Sequence, residues 1–413
     1  MKNIKTVLFA SLLSTSLFAL NIDDAVNISL ENNLDILSQQ YDYKESKENV
    51  SLSRASLMPN LDLQYQFNDR KKLIPGQIEK ESSASAVVSY NLFNGFKDIK
   101  TYSSAKYLSN SQRFTYEAVK QDILLNTKQV YINLLNKRKN LTTFEDAFKL
   151  FEKQYNDAQS KFDEGLLARN DLLKVEVNML DAKQNVVNAK SEVNIARYEL
   201  SNILGGYDLK NITIEELSDN TLANDFSQEN LENRSEIEAL RMNVNSLKAQ
   251  VSANKSGFYP KVDTSFSYNK YGETESVGGR TGYPDDQKIA GISASWNLFS
   301  GGKDSASIAI SRAQLNKAMA QLDKTKLDIK LQYEKALSKL EVAKLNLETA
   351  TLSLKQSKEN YEIVDNRFKE GLSTTTDLVD ANYLLSSAKQ RYFSSYYDKF
   401  LAVATLQRVL EIK

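Results

Sequence analysis

Asp377 and Asp380 lie three residues apart, so on a helix their carboxylates share one face. Neither has a histidine or cysteine to work with, because the 413-residue chain contains none. The usual nucleophile–base pairs, thiolate chemistry and most transition-metal sites are therefore unavailable. A carboxylate-only enzyme remains possible in principle. No Gly-x-x-x-x-Gly-Lys-Ser/Thr loop is present to hold a nucleotide. No enzyme, cofactor or resident metal is expected. What paired acids can still do is collect cations. Like charges crowded in a narrow passage attract counter-cations and raise one another's pKa. The plainer alternative is that acids simply favour a helix N-terminus. Asp171 corresponds to Asp377 in an earlier stretch, but the counterpart of Asp380 is Lys174. That asymmetry favours a specific role for Asp380.

The correspondence is exact in spacing. Asn91-Leu92-Phe93-Asn94-Gly95 returns as Asn297-Leu298-Phe299-Ser300-Gly301, 206 residues later. Phe162-Asp163-Glu164-Gly165-Leu166 returns as Phe368-Lys369-Glu370-Gly371-Leu372 at the same offset. A long duplication fixes architecture before chemistry, since each half must be one structural unit. In each turn Gly165 or Gly371 supplies positive φ where a helix ends, and Leu166 or Leu372 projects. Asn170-Asp171 and Thr376-Asp377 then read as cap and first-turn acid of the returning helix.

The elements that carry these turns are long helices. Only 4 Pro and 14 Gly interrupt the chain, and long tracts contain neither. Segments 98–163 and 304–369 each run about 66 residues, roughly 100 Å at 1.5 Å per residue. Segments near 168–204, 374–411, 24–57 and 232–257 are shorter. End-to-end pairing of 168–204 with 232–257, and of 374–411 with 24–57, would match the long pair. From Ile329 through Tyr333, Ala336, Leu340 and Ala343 to Tyr361 the apolar steps alternate four and three, a heptad seam. Val342, Leu345, Thr349 and Leu352 form a second seam beside it, which suggests packing on both flanks.

Four runs of about ten residues alternate apolar and polar positions. Leu61, Leu63, Tyr65 and Phe67 make the first; Ala84, Ala86, Val88 and Tyr90 the second. Val262, Thr264, Phe266 and Tyr268 make the third; Ile292, Ala294, Trp296 and Leu298 the fourth. One apolar and one polar face fit strands of a membrane barrel. Two soluble hairpins are the alternative, but rigid rods on either side offer them little cover. Four strands cannot close a barrel, because the smallest use about eight. Three chains would give twelve. Residues 1–20, with Lys2 and Lys5 before a short apolar stretch, read as an export signal cleaved after Ala19 or Leu20. Lys and Arg balance Asp and Glu at 53 each, so nothing argues for nucleic acid.

In the two Asn-Leu-Phe-x-Gly-x-Lys-Asp strand ends, the two Phe-x-Glu-Gly-Leu turns and Thr376-Asp377-Leu378-Val379-Asp380-Ala381, the chain resembles the TolC family of outer-membrane efflux proteins. The resemblance implies a homotrimer with its barrel in outer-membrane lipid and a tapering helical tunnel across the periplasm. It implies an iris-like tip that docks onto a periplasmic adaptor, itself attached to an inner-membrane RND or ABC transporter. By resemblance Asp377 and Asp380, with Asp171, are gate residues, and Gly165, Leu166, Gly371 and Leu372 are the docking tip. Tyr90, Phe93, Trp296 and Phe299 are taken as membrane-interface aromatics. The chain departs from the best-known members in carrying Ser373 where they have a tip Arg and Phe368 where they have a Tyr. Their locking contacts to Asp171 cannot form in the same way. Arg169, Lys174 and Arg367 are the candidate substitutes, and a differently locked gate is expected.

The expected fold is mainly α with a small β part, internally duplicated. A trimer would form a 12-stranded outer-membrane barrel, four strands per chain, continued by a periplasmic α-helical barrel of coiled-coil hairpins. The expected domains are a signal at 1–20, a first repeat at 21–205, a linker at 206–231 and a second repeat at 232–413. Strands fall at about 60–70, 83–94, 261–271 and 288–299. Long helices run 98–163 and 304–369, tip turns 164–170 and 370–376, and returning helices 171–204 and 377–411. The expected function is the passive exit duct of a tripartite efflux pump, or of type I protein secretion. A coiled-coil spacer or adhesin without a pore is the competing class.

Overall fold

The computed structural model describes residues 19–71, 74, 78–217 and 228–412. The signal read at 1–20 lies outside them except for its last two residues, as does the middle of the 206–231 linker. In chain order the elements are β1 (Ala19–Leu20), α1 (Ile22–Asn32), α2 (Leu34–Ala55), β2 (Asn60–Asp69), β3 (Lys80–Asn94), α3 (Lys97–Asp163), α4 (Arg169–Ile203), β4 (Thr213–Ile214), α5 (Ser235–Asn254), β5 (Lys261–Gly272), β6 (Asp286–Ser295), α6 (Lys303–Lys369) and α7 (Thr375–Leu410). The halves repeat: α3 and α6 are 67 residues each, and α4 and α7 are 35 and 36. Contacts divide the chain into two units. One holds residues 38–118 and 232–327, the other the remainder, and α3 and α6 pass through both.

In the first unit the strands form one antiparallel sheet ordered β2-β3-β5-β6. Register places Leu61 opposite Val88, Val88 opposite Phe266 and Phe266 opposite Ala290. The next row is Leu63, Ala86, Tyr268 and Lys288. Because side chains alternate faces, the alternating apolar positions of the four strands share one side, interrupted by Lys288, while Val87 and Ile289 fall on the other. The apolar side is uncovered: Leu63, Phe266 and Ile292 are exposed. A bulge between Asn91 and Phe93 brings Phe93 opposite Val262, back onto the apolar face. The fourth strand ends four residues before the expected position 299. β5 begins at Lys261, which already pairs with Ser295, so Trp296 to Phe299 have no partner on that edge. Serines bring α3 and α5 together: Ser111 Oγ donates to Ala239 O at 2.7 Å, and Ser246 Oγ to Ser104 O at 3.0 Å.

In the second unit the heptad seam of α6 is buried as its spacing requires. Tyr333, Ala336, Leu340 and Ala343 pack against Ala402, Val403, Leu406, Val409 and Leu410 of α7. The second seam is open: Val342, Leu345 and Leu352 are each more than half exposed. The single helix expected near 24–57 is broken at Asn33. Its Oδ1 accepts Asp35 N at 2.9 Å, and its Nδ2 donates to Ile203 O at 3.0 Å. One buried amide thus opens α2 and satisfies the end of α4. β1 pairs in parallel with β4, and the fully buried Tyr131 hydroxyl lies 2.8 Å from Leu20 O and 2.7 Å from Glu215 O.

Candidate functional site: the hairpin tips

Both tip turns have one geometry. Gly165 and Gly371 each adopt φ +76°. Gly165 N donates to Phe162 O at 2.9 Å and Leu166 N to Lys161 O at 2.8 Å. Gly371 N donates to Phe368 O at 3.1 Å and Leu372 N to Arg367 O at 2.8 Å. This pairing of a 5→2 with a 6→1 bond is the Schellman motif, which satisfies the last carbonyls of α3 and α6. A Cβ at either glycine would meet nothing within 4 Å, so the requirement is for left-handed φ, not for space. Leu166 and Leu372 are 73% and 64% exposed.

The caps of the returning helices lie earlier than the expected Asn170 and Thr376. Thr374 caps α7: its Oγ1 accepts Asp377 N at 3.2 Å, while Asp377 Oδ2 accepts Thr374 N at 2.8 Å. This is a capping box. The N-cap of α4 is Ala168, which has no side-chain acceptor, so the two starts differ. Asp377 is therefore occupied at the helix start. Hydrogen bonds from the Thr374 hydroxyl and backbone, helped by the Arg367 charge, hold its carboxyl below the usual range. Asp380 is exposed and makes no hydrogen bond or ion pair among the described residues. On the opposite side of the same turns Leu378, Val379 and Ala381 are buried, Val379 against Phe151 and Ala182. The inward packing thus turns Asp377 and Asp380 outward together.

Asp171 stays within its own helix, 4.0 Å from Lys174 Nζ. It lines, with Lys174 and Val177 of α4 and with Thr375, Thr376 and Val379 of α7, a cleft of about 540 Å³. The structure thus brings Asp171 beside the start of α7. Arg169, Lys174 and Arg367 make no hydrogen-bonded bridge between the hairpins among the described residues. Ser373 Oγ donates back to Val364 O at 3.4 Å, within its own hairpin. A contact absent from the sequence reading crosses instead: Lys161 Nζ lies 5.0 Å from the Phe368 ring centroid. The only sequence signal for it was the aromatic residue kept at 368 without a hydroxyl.

In the sheet unit Tyr90 and Phe93 lie on β3, and Trp296 and Phe299 lie beyond β6. Trp296 Nε1 donates to Phe258 O at 3.3 Å. Phe93 meets Phe96 edge-on at 5.1 Å, and Phe96 meets Tyr259 at 6.4 Å. Phe96, Phe258 and Tyr259 extend the aromatic set beyond the expected four. No cluster of acids among the described residues is arranged to hold a metal, and none of their helices is long and apolar enough to cross a membrane.

A duplicated chain of long helical hairpins, carrying a sheet with an exposed apolar face, defines a channel-type outer-membrane protein. The family model for outer membrane efflux proteins matches residues 25–206 and 226–410. The chain belongs to that family, and its place is the outer membrane with an extension into the periplasm. Outer membrane protein TolC of Escherichia coli is 21% identical over 381 residues, covering 88% of this chain and 76% of that one. Alkaline protease secretion protein AprF of Pseudomonas aeruginosa is 21% identical over 440 residues, covering 98% and 88%. The crystal structure of the CmeC outer membrane channel of Campylobacter jejuni superposes with TM-score 0.86 at 18% identity, covering 94% and 85%.

Proposed function

We propose that three copies of this chain assemble into a passive exit duct, joined by their β-sheets in the outer membrane and gated at the hairpin tips. The observation that carries this is the sheet. Its apolar rows run in register across four strands with nothing covering them, and β2 and β6 leave both edges unpaired. In lipid such edges must be closed, and three sheets joined β6 to β2 give twelve strands. The open second seam of α6 is then covered by a neighbouring copy. In this reading the leader is removed after Ala19, the earlier of the two expected points, which keeps Leu20 against Ile214 and Tyr131, and 21–205 and 232–413 are the two repeats of each copy.

At the tips, Asp380 supplies a ring of three free carboxylates, with Asp377 tied into the cap of α7 and Asp171 facing Lys174. Leu166 and Leu372 present exposed apolar tips to the hairpin of a periplasmic adaptor, which connects the duct to an inner-membrane RND or ABC transporter. The names support both uses of such a duct: the matched family is of outer membrane efflux proteins, and AprF is a protease secretion protein. The sequence carries no Gly-x-x-x-x-Gly-Lys-Ser/Thr loop, and in this reading the transporter supplies the energy. Reconstitution in a planar bilayer tests this. Heat-modifiable trimers that conduct in discrete steps are expected; trimers that never conduct would sink the duct and leave a spacer.

A further inference from the structure

We infer that the outward end of the sheet carries a binding site for phosphate-bearing lipid of the outer leaflet, built on Lys288 and Lys270. This rests on the barrel reading above. Lys288 is the charge set deepest among the apolar rows. It stands opposite Tyr268, and its Nζ lies 5.9 Å from the centroid of that ring. It makes no ion pair among the described residues. Lys270 stands one row further out, in line with Tyr65, Ala84 and Asp286. Both lysines are exposed. Asp286 offsets one of the two charges, so each copy keeps one net positive charge at this level. The β5–β6 loop marks the outward end, because the opposite strand ends lead into α2, α3, α5 and α6.

The depth of Lys288 fits a headgroup plane. From Lys288 through Ala290, Ile292 and Ala294 to Trp296 is eight residues. That is about 27 Å of strand, or about 20 Å of height at the usual barrel tilt. The lysine stem and the indole reach further at either end, so their polar groups bracket the ~25 Å apolar band of an outer-membrane barrel. An ammonium is costly at the midplane and nearly free at the interface, where lipid phosphates are its natural counter-ions. On the same side the β5–β6 loop folds back as a lip. Ser82 Oγ donates to Ser276 O at 3.0 Å, and the Tyr65 hydroxyl donates to Glu275 O. A Cβ at Gly272 would collide with Ser276 O, so only glycine lets the loop lie there. A Cβ at Gly278 would meet Lys270 Cε at 3.5 Å, so the loop passes beside that lysine's stem. A phosphate entering from the lipid side thus meets two ammonium groups beneath a polar lip, with the Tyr268 ring below.

The test is native mass spectrometry of the full-length trimer in mild detergent. It is titrated with bisphosphorylated lipid A, with the same lipid stripped of phosphate, and with phosphatidylglycerol. Wild type should bind the bisphosphorylated lipid roughly tenfold more tightly than either of the others. Lys288→Gln should weaken that binding roughly tenfold, the loss of one charge-assisted contact. Lys270→Gln should weaken it less, since Asp286 already offsets that charge. Lys288→Arg should bind as wild type does. Lys261→Gln, at the inner end of β5 and paired with Asp263, should change nothing. Equal binding of the stripped lipid, or a silent Lys288→Gln, overturns the site and leaves the duct standing. Equal binding of phosphatidylglycerol overturns the choice of an outer-leaflet lipid. The comparison of lipids uses wild-type protein, so it decides the matter even where a variant fails to assemble. Wild type that forms no trimer overturns the barrel and the site together.

Discussion

Three acids that look alike in sequence have different duties. Asp377 is fixed in a capping box, Asp171 faces a lysine one turn on, and Asp380 is free. In the reconstituted channel Asp380→Asn should therefore weaken divalent-cation block on the order of tenfold, the loss of a ring of three charges. Asp377→Ala should weaken it less; block measurements that reverse this order would contradict the assignment. The Asp377 carboxyl is lowered, so its contribution to the start of α7 is intact above the ordinary aspartate value of about 4 and is lost as pH falls through its lower folded value. Hydrogen exchange at Asp377 and Leu378, whose amides Thr374 accepts, should stay protected near neutrality and quicken as pH falls below about 4. Asp377→Ala should fray these amides at every pH. Much of this was legible. The glycines announce positive φ, but the Thr-x-x-Asp spacing that marks Thr374 was passed over in favour of Thr376. Lys161 on Phe368 was not legible, because it joins residues more than two hundred positions apart with no shared period.

At the scale of elements, heptad spacing identified the face of α6 that is buried, whereas the second seam, expected to be packed as well, is open in the single chain. Leu406 is fully buried against the first seam, whereas Leu345 stands on the second, 57% exposed. Leu406→Ala should cost about 2–5 kcal/mol by the cavity it leaves, read as a lowered thermal midpoint. Leu345→Ala should hardly change that midpoint but should weaken trimer migration, since in the proposed trimer its partner lies on another copy. Equal effects on the midpoint would place Leu345 in the chain's own core. The break between α1 and α2 escaped sequence reading because Asn33 sits in a run that helical periodicity alone would continue. What stops the helix is a tertiary bond to Ile203 O, which local propensity does not contain. Asn33→Ala leaves that carbonyl unpaired, and a loss of about 1–3 kcal/mol is expected in thermal or denaturant unfolding.

For the whole molecule, strand alternation proposes which residues would face lipid, and the register makes that proposal specific. Phe266 lies between Val88 and Ala290 on the apolar side, and its neighbour Ser267 lies between Val87 and Ile289 on the other. The end of β6 was not legible, because Asn91 to Asn94 and Asn297 to Ser300 are near-copies in unlike settings. The first runs beside β5, while the second continues past the point where its partner begins. This contrast between faces yields a paired prediction. Phe266→Lys puts an ammonium into lipid at about 2–4 kcal/mol per chain if it lies near the midplane. A trimer bears that cost three times, comparable to the whole stability of a domain. Outer-membrane fractions should then lack the heat-modifiable trimer. Ser267→Lys, one residue along, points its charge into the water-filled lumen. It should assemble normally and shift ion selectivity toward anions in reversal-potential measurements. If both lysines were tolerated, or if Ser267→Lys were the one that blocked assembly, the apolar face would not be the lipid face.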